Sequence, residues 1–190
     1  MSDAPQLTIA AFGDSLFEGW GLMPDQSVPA QLEKLLRQEG RNLRMLNFGV
    51  SGETAGEGLL RVDQVVKAKP DLALLEFGAN DFYQLVDPEE TQDQLAAIIE
   101  TFQAKAIPVL LVGICCLADF TGEEFKADFD PIFTELAEHF SVPLFPDILA
   151  SYVHSPDLLM LDGIHPNPQG ALAIAQALLP SVLDALPRGE

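Results

Sequence analysis

Apolar residues follow two rhythms along this chain. Short apolar runs, several of them apolar on both parities, occupy residues 7–12, 45–48, 72–77, 109–114 and 142–145. A strand covered on both faces loses the strict alternation of inside and outside and reads as such a run. Between the runs the period lengthens. Leu95, Ile98, Ile99 and Phe102 stand at i, i+3, i+4 and i+7, one stripe of a helix. Phe125, Phe129, Ile132, Phe133, Leu136 and Phe140 repeat the stripe around Pro131, which predicts either a kink or a new helix with Asp130 as cap and proline first. Leu172, Ala175, Leu179, Val182, Leu183 and Leu186 predict a terminal amphipathic helix, with Asn167 as cap and Pro168 as first residue. Residues 28–38 and 54–69 supply two more helices.

Strands alternating with helices predict a parallel sheet with helices on both faces. Ligands of such sheets sit beyond the carboxyl ends of the strands. The first three runs end on Gly13-Asp14-Ser15, Gly49-Val50-Ser51-Gly52 and Gly78-Ala79-Asn80-Asp81, so one rim collects these turns. At 190 residues and 48% apolar composition, a single domain over residues 1–190 with a sizeable core is expected.

Composition removes several function classes. No apolar run approaches the roughly 18 residues of a membrane span, so no stable membrane insertion is expected. Residues 1–5 lack a basic start followed by an apolar stretch, which predicts a cytoplasmic protein, or a periplasmic or secreted one if a leader has been trimmed. A net charge of −19 repels nucleic acid and anionic lipid, so neither is an expected partner. The same acidity suits a soluble surface, or high salt, where self-repulsion is screened. The two cysteines, Cys115 and Cys116, are adjacent and make no disulfide framework; they read as small apolar residues ending a strand.

The candidate chemistry starts at Ser15, presented by a small-residue turn directly after the first run. A serine hydroxyl needs a base within hydrogen-bond reach and donors for the oxyanion that forms. Three histidines are available. His139 ends an amphipathic helix, where a cation suits the helix dipole, and His154 lies in a polar loop. His165 follows a glycine turn and precedes a helix cap, with Asp162 three residues upstream. That spacing lets the carboxylate bond one ring nitrogen while the other faces a serine. Ser51 is a competitor, since Gly49-Val50-Ser51-Gly52 nearly forms a G-x-S-x-G nucleophile elbow, but Glu53 takes the last place. In chymotrypsin-like proteases, where Gly-Asp-Ser also occurs, the histidine precedes the serine, and here none does. Asp14 and Asp81 read as loop-fixing carboxylates. No metal-ligand motif is present.

At this point the chain resembles the GDSL, or SGNH, hydrolases, whose four blocks are named for Ser, Gly, Asn and His. Phe12-Gly13-Asp14-Ser15-Leu16 matches the first block and Asn47-Phe48-Gly49-Val50-Ser51-Gly52-Glu53-Thr54 the second. Gly78-Ala79-Asn80-Asp81 matches the third and Asp162-Gly163-Ile164-His165-Pro166-Asn167 the last. The finer match, through Ser51-Gly52-Glu53-Thr54, Leu75-Glu76-Phe77-Gly78 and Val142-Pro143-Leu144, is to the bacterial thioesterase I, lysophospholipase L1 and arylesterase group. The resemblance implies a three-layer α/β/α, flavodoxin-like fold around a five-stranded parallel sheet. It implies Ser15 as nucleophile, His165 as base and Asp162 as its orienting acid. The oxyanion hole would be the backbone N–H groups of Ser15 and Gly52 and the side-chain amide of Asn80, with glycine at 52 leaving room for close approach. It implies cofactor-free hydrolysis of a small-molecule carboxylic ester through an acyl-enzyme.

Apolar residues near the rim are candidates for an acyl or aryl pocket: Trp20, Met23, Phe82, Tyr83, Ile114 and Leu117, with Phe17 and Ile164 flanking the reacting groups. Short to medium acyl chains with aryl alcohols are expected, because no long apolar lid segment is evident; thioesters and lysophospholipids are further candidates. Two alternatives remain: an acetylated carbohydrate as substrate, and a non-catalytic flavodoxin-like module for FMN or another phosphate ligand. The second requires phosphate donors after the first strand, where this chain places Asp14 and Glu18.

Overall fold

A computed structural model describes residues 6–187. The leader reading of residues 1–5 lies outside the described residues. Five strands form one all-parallel sheet: β1 (Leu7–Gly13), β2 (Leu43–Gly49), β3 (Leu72–Glu76), β4 (Val109–Val112) and β5 (Leu144–Phe145), in the order β2-β1-β3-β4-β5. This is the flavodoxin-like order. The chain reverses direction across the sheet between β1 and β3, so a crevice opens there beyond the strand ends. The central strands β3 and β4 are buried at every position, as their two-parity apolar runs require. The edge strand β2 is largely half-exposed.

Helices cover the sheet in two groups. The helix α1 (Ser15–Glu18) follows β1, and α2 (Val28–Gln38) follows it and packs on the terminal α10 (Pro168–Ala185). Ser27 caps α2 by accepting from Ala30 N–H. Asn167 caps α10 by accepting from the N–H groups of Gln169 and Gly170, with Pro168 first, where its missing N–H costs nothing. The second group is centred on α6 (Pro88–Ala104), whose Leu95, Ile98, Ile99 and Phe102 are all buried. Against it pack α3 (Ala55–Leu60), α4 (Val62–Ala68), α8 (Glu123–Phe129) and α9 (Ile132–Phe140); α5 (Ala79–Tyr83) follows β3 and α7 (Ala118–Thr121) precedes α8.

One helix differs from the sequence expectation, and another settles between its two alternatives. The stretch 54–69 is broken at Arg61, which leaves helical geometry. Its guanidinium donates to the carbonyls of Phe48 and Gly13 and to the Glu53 carboxylate, and lies over the Phe12 ring. These bonds tie the carboxyl ends of β1 and β2 together. The stretch around Pro131 takes the kinked alternative, with α8 ending at Phe129 and α9 starting at Ile132.

Register places the site. Gly13 is level with Gly49 on β2 and with Glu76 on β3. The turns carrying Ser15, Gly52 and Asn80 therefore leave the sheet at one height. No helix among the described residues is long and apolar enough to cross a membrane.

Candidate active site

Ser15 is the first residue of α1, and Asp14 caps that helix by accepting from Leu16 N–H at 3.0 Å. The other half of the site comes from the far end of the chain. Residues 158–167 form a narrow turn: Leu159 and Pro166 bridge, Met160 N–H donates to the His165 carbonyl and Asn167 N–H to the Leu158 carbonyl. Inside it Asp162 Oδ1 accepts from the backbone N–H groups of Ile164 (2.9 Å) and His165 (3.0 Å). Asp162 Oδ2 lies 2.7 Å from His165 Nδ1, and His165 Nε2 lies 3.0 Å from Ser15 Oγ. With the proton on Nδ1, Nε2 is free to accept from the serine hydroxyl. Slight burial works against the Asp162 carboxylate, but the Ile164 N–H, the imidazole and the His165 N–H together hold it below the usual carboxylate range.

Asn80 sits in α5, with its amide donating to Asp14 Oδ2 at 3.1 Å and to the Glu53 carbonyl at 2.9 Å. Gly52 has φ +85°, and a Cβ there would meet open space. The expectation that glycine is needed at 52 to leave room is therefore corrected: the left-handed backbone demands it. Ser51, the competing serine, is engaged by Glu18, whose carboxylate accepts from both its N–H and its hydroxyl.

Beneath this rim three carboxyl groups are buried. Asp14 is pushed up to about 7 by burial and by the Asp81 charge, against the opposing bonds from Leu16 N–H and Asn80. Burial likewise raises Asp81 to about 6, although it accepts from Ala55 N–H and Thr91 Oγ1. Glu76, at the carboxyl end of β3, is raised well above the ordinary range by burial and by the Asp14 charge. The thiols of Cys115 and Cys116 are raised by burial to about 11 and about 12, which leaves them inert as nucleophiles at neutral pH.

A cavity of about 210 Å³ opens at Ser15, His165 and Asn80. Its apolar walls include Tyr83, Leu117 and Ile164 among the pocket candidates. Besides Leu16 and Ala79, which adjoin Ser15 and Asn80, Leu149, Tyr152 and Val153 line it; sequence reasoning missed these last three. They follow β5, so the rule that pointed to the ends of the first three strands also pointed there. Phe17, Phe82 and Ile114 are corrections: all three are fully buried in the core. A short helix after a strand turns its apolar side inward, so Phe17 faces away from the rim that Ser15 faces. Met23 is another correction, being 65% exposed beside the turn 24–26 and outside the cavity. Trp20 is not in the cavity wall but lies on the imidazole of His165, ring centroids 4.4 Å apart. Larger clefts elsewhere, the most voluminous being about 620 Å³ beside Trp20 and α2 and about 660 Å³ between α6 and α9, do not include Ser15.

The arrangement has known counterparts. A family model described as the GDSL-like lipase/acylhydrolase family matches residues 11–173. An arylesterase of Vibrio mimicus is 31% identical over 169 residues, 88% of this chain and 84% of that protein. Thioesterase 1/protease 1/lysophospholipase L1 of Escherichia coli K12 is 30% identical over 84% of this chain and 76% of its own. Among solved structures, AlinE4, an SGNH-hydrolase family esterase, superposes with a TM-score of 0.82 at 38% identity, covering 98% of this chain and 100% of its own.

Proposed function

Given that the chain belongs to the GDSL-like lipase/acylhydrolase family and is an ester hydrolase, we propose that it cleaves short to medium acyl carboxylic esters through an acyl-enzyme formed on Ser15. The observation that supports this most directly is the unbroken hydrogen-bond chain Ser15 Oγ–His165 Nε2, His165 Nδ1–Asp162 Oδ2. His165 takes the hydroxyl proton as Ser15 attacks the ester carbonyl. The tetrahedral oxyanion is held by the N–H groups of Ser15 and Gly52 and by the Asn80 amide. Collapse expels the alcohol, which leaves with the proton from His165. Water then attacks the acyl-enzyme, giving its proton to His165, and the second collapse returns that proton to Ser15 and frees the acid. Asp162 holds the ring and stabilises the imidazolium throughout.

The 210 Å³ cavity lies below the usual range for drug-sized ligands, which supports small acyl groups. The arylesterase relative supports aryl esters as good leaving groups, and the thioesterase and lysophospholipase relative makes thioesters and lysophospholipids the next classes to test.

Ser15→Ala is expected to lower p-nitrophenyl ester hydrolysis by about 10⁴-fold or more while the fold is retained. Unchanged turnover in that variant would remove Ser15 from the mechanism. A matrix of acyl lengths against aryl, glyceryl, thioester and acetylated-sugar leaving groups, compared by kcat/KM, then sets the substrate class.

A further inference from the structure

Glu76 has no part in the chemistry above, yet it ends an otherwise apolar strand and is fully buried. Its Oε2 accepts from Asp14 N–H at 3.2 Å, and its Oε1 is buried with no donor to accept from. Space is made for it, because a Cβ at Gly13 would overlap the Glu76 carboxyl. An ionised carboxylate here would lack half of its donors at a site without water contact, a costly arrangement. A carboxylic acid is instead a donor, and the nearest acceptor group is the carboxyl of Asp14, whose own N–H Glu76 Oε2 already holds. Asp14 in turn accepts from Leu16 N–H on one oxygen and from the Asn80 amide on the other.

We propose that Glu76 is a positioning residue that acts as a neutral acid: its proton fixes the Asp14 carboxylate, and Asp14 holds one N–H of the Asn80 amide so that the other, which rests on the Glu53 carbonyl, can turn to the oxyanion. The route runs from the sheet to the reacting atoms in three links, Glu76 to Asp14, Asp14 to Asn80, Asn80 to the oxyanion. Burial and the Asp14 charge raise Glu76 well above the ordinary carboxyl range, which favours its protonated form. The charged or titratable groups facing it are Asp14 from the cap of α1, Asp81 from α5, Tyr152 from the turn after β5, and Arg61, whose guanidinium donates to the Gly13 carbonyl beside it. Ionisation of Glu76 at alkaline pH puts two negative carboxylates in contact, and the Asn80 amide loses its fixed direction. Because an oxyanion donor acts in the transition state, the loss falls on kcat and not on KM.

The proposal rests on the esterase reading, and three variants of the full chain separate the two. Glu76→Leu, which cannot donate, is expected to lower kcat for a p-nitrophenyl ester about 10–100-fold, part of a full oxyanion donor's effect, with KM changed less than about twofold. Glu76→Gln, which donates but cannot ionise, is expected to restore kcat to within about threefold of wild type and to remove the alkaline limb of the kcat–pH profile. An alkaline limb shared by wild type and Glu76→Gln overturns the role of Glu76, as does a folded Glu76→Leu with wild-type kcat. If Glu76→Leu does not fold, the Gln profile alone decides. None of these results touches the esterase reading, which falls only if Ser15→Ala still turns over.

Discussion

Asp162 lies on an exposed turn and takes its three hydrogen bonds from residues within three positions of itself, the ring and backbone of His165 and the N–H of Ile164. Asp14 is fully buried and is bound by Glu76 and Asn80, which lie 62 and 66 positions away. The first carboxylate is held below its ordinary range, the second is pushed up to about 7. The difference is one of solvent and donors. Asp162 keeps water access and gathers donors, so it stays charged and can balance an imidazolium. Asp14 gives up water and is held by one local donor, Leu16 N–H, and one distant donor, the Asn80 amide, so its charge is costly. The site thus contains one exposed carboxylate built from its own turn, the candidate triad acid, and one buried carboxyl tied to the sheet.

The comparison breaks first where effects are largest. Asp162→Asn is expected to lower kcat about 10⁴-fold, by favouring the wrong imidazole tautomer, with little change in Tm, because the turn is exposed and keeps its backbone bonds. A large loss of Tm would show that Asp162 is structural. Asn80→Ala should cost about 10²–10³ in kcat, the usual price of one oxyanion donor, with KM nearly unchanged. A rise in KM alone would move Asn80 into substrate binding.

Smaller effects sharpen the contrast through stability. The folded-state value of Asp14, about 7, lies above its unfolded value of 3.8. The folded protein therefore holds this proton more tightly than the unfolded chain. The stability this contributes is fully present below about pH 4 and is lost as pH rises to about 7. Asp81, at about 6, and Glu76 act with the same sign. Asp162 acts with the opposite sign, its contribution being present above its unfolded value of 3.8 and lost as pH falls. Wild-type Tm should fall between about pH 4 and about pH 7, and Asp14→Asn should reduce that fall by about 5 °C. An unchanged slope in Asp14→Asn, measured by calorimetry, would mean that Asp14 ionises freely. Smallest of all, Tyr152→Phe removes the hydroxyl that donates to the Ile164 carbonyl at 3.1 Å. About a threefold loss in kcat is expected from a looser His165 turn, the scale of one net hydrogen bond of about 0.7 kcal/mol.

Legibility in the sequence followed the same divide. The strands, the α2 boundaries and the Asn167 cap could be read because periodicity and capping are local. The triad candidates could be read because the His165 turn carries its acid three residues away and Ser15 follows its strand directly. The break at Arg61 could not, because helix propensity there is overruled by carbonyls on β1 and β2. The inward turn of Phe17 and Phe82 could not either, since adjacency to a reacting residue in sequence says nothing of which way a side chain faces. Glu76 was quoted only as part of a motif; its pairing with Asp14 needed the register that sets Gly13 level with it.

The stacking of Trp20 on His165 has a practical consequence. Trp20 is the one tryptophan in the sequence, so emission excited beyond tyrosine absorption comes from a single indole lying on the candidate general base. Changes at that imidazole, whether a proton, an acyl group arriving on Ser15 or an inhibitor displacing the ring, should alter a signal that needs no dye and no background correction for other indoles. The molecule carries an optical reporter at its candidate active site, through which pre-steady-state acylation of Ser15 should be observable by light alone.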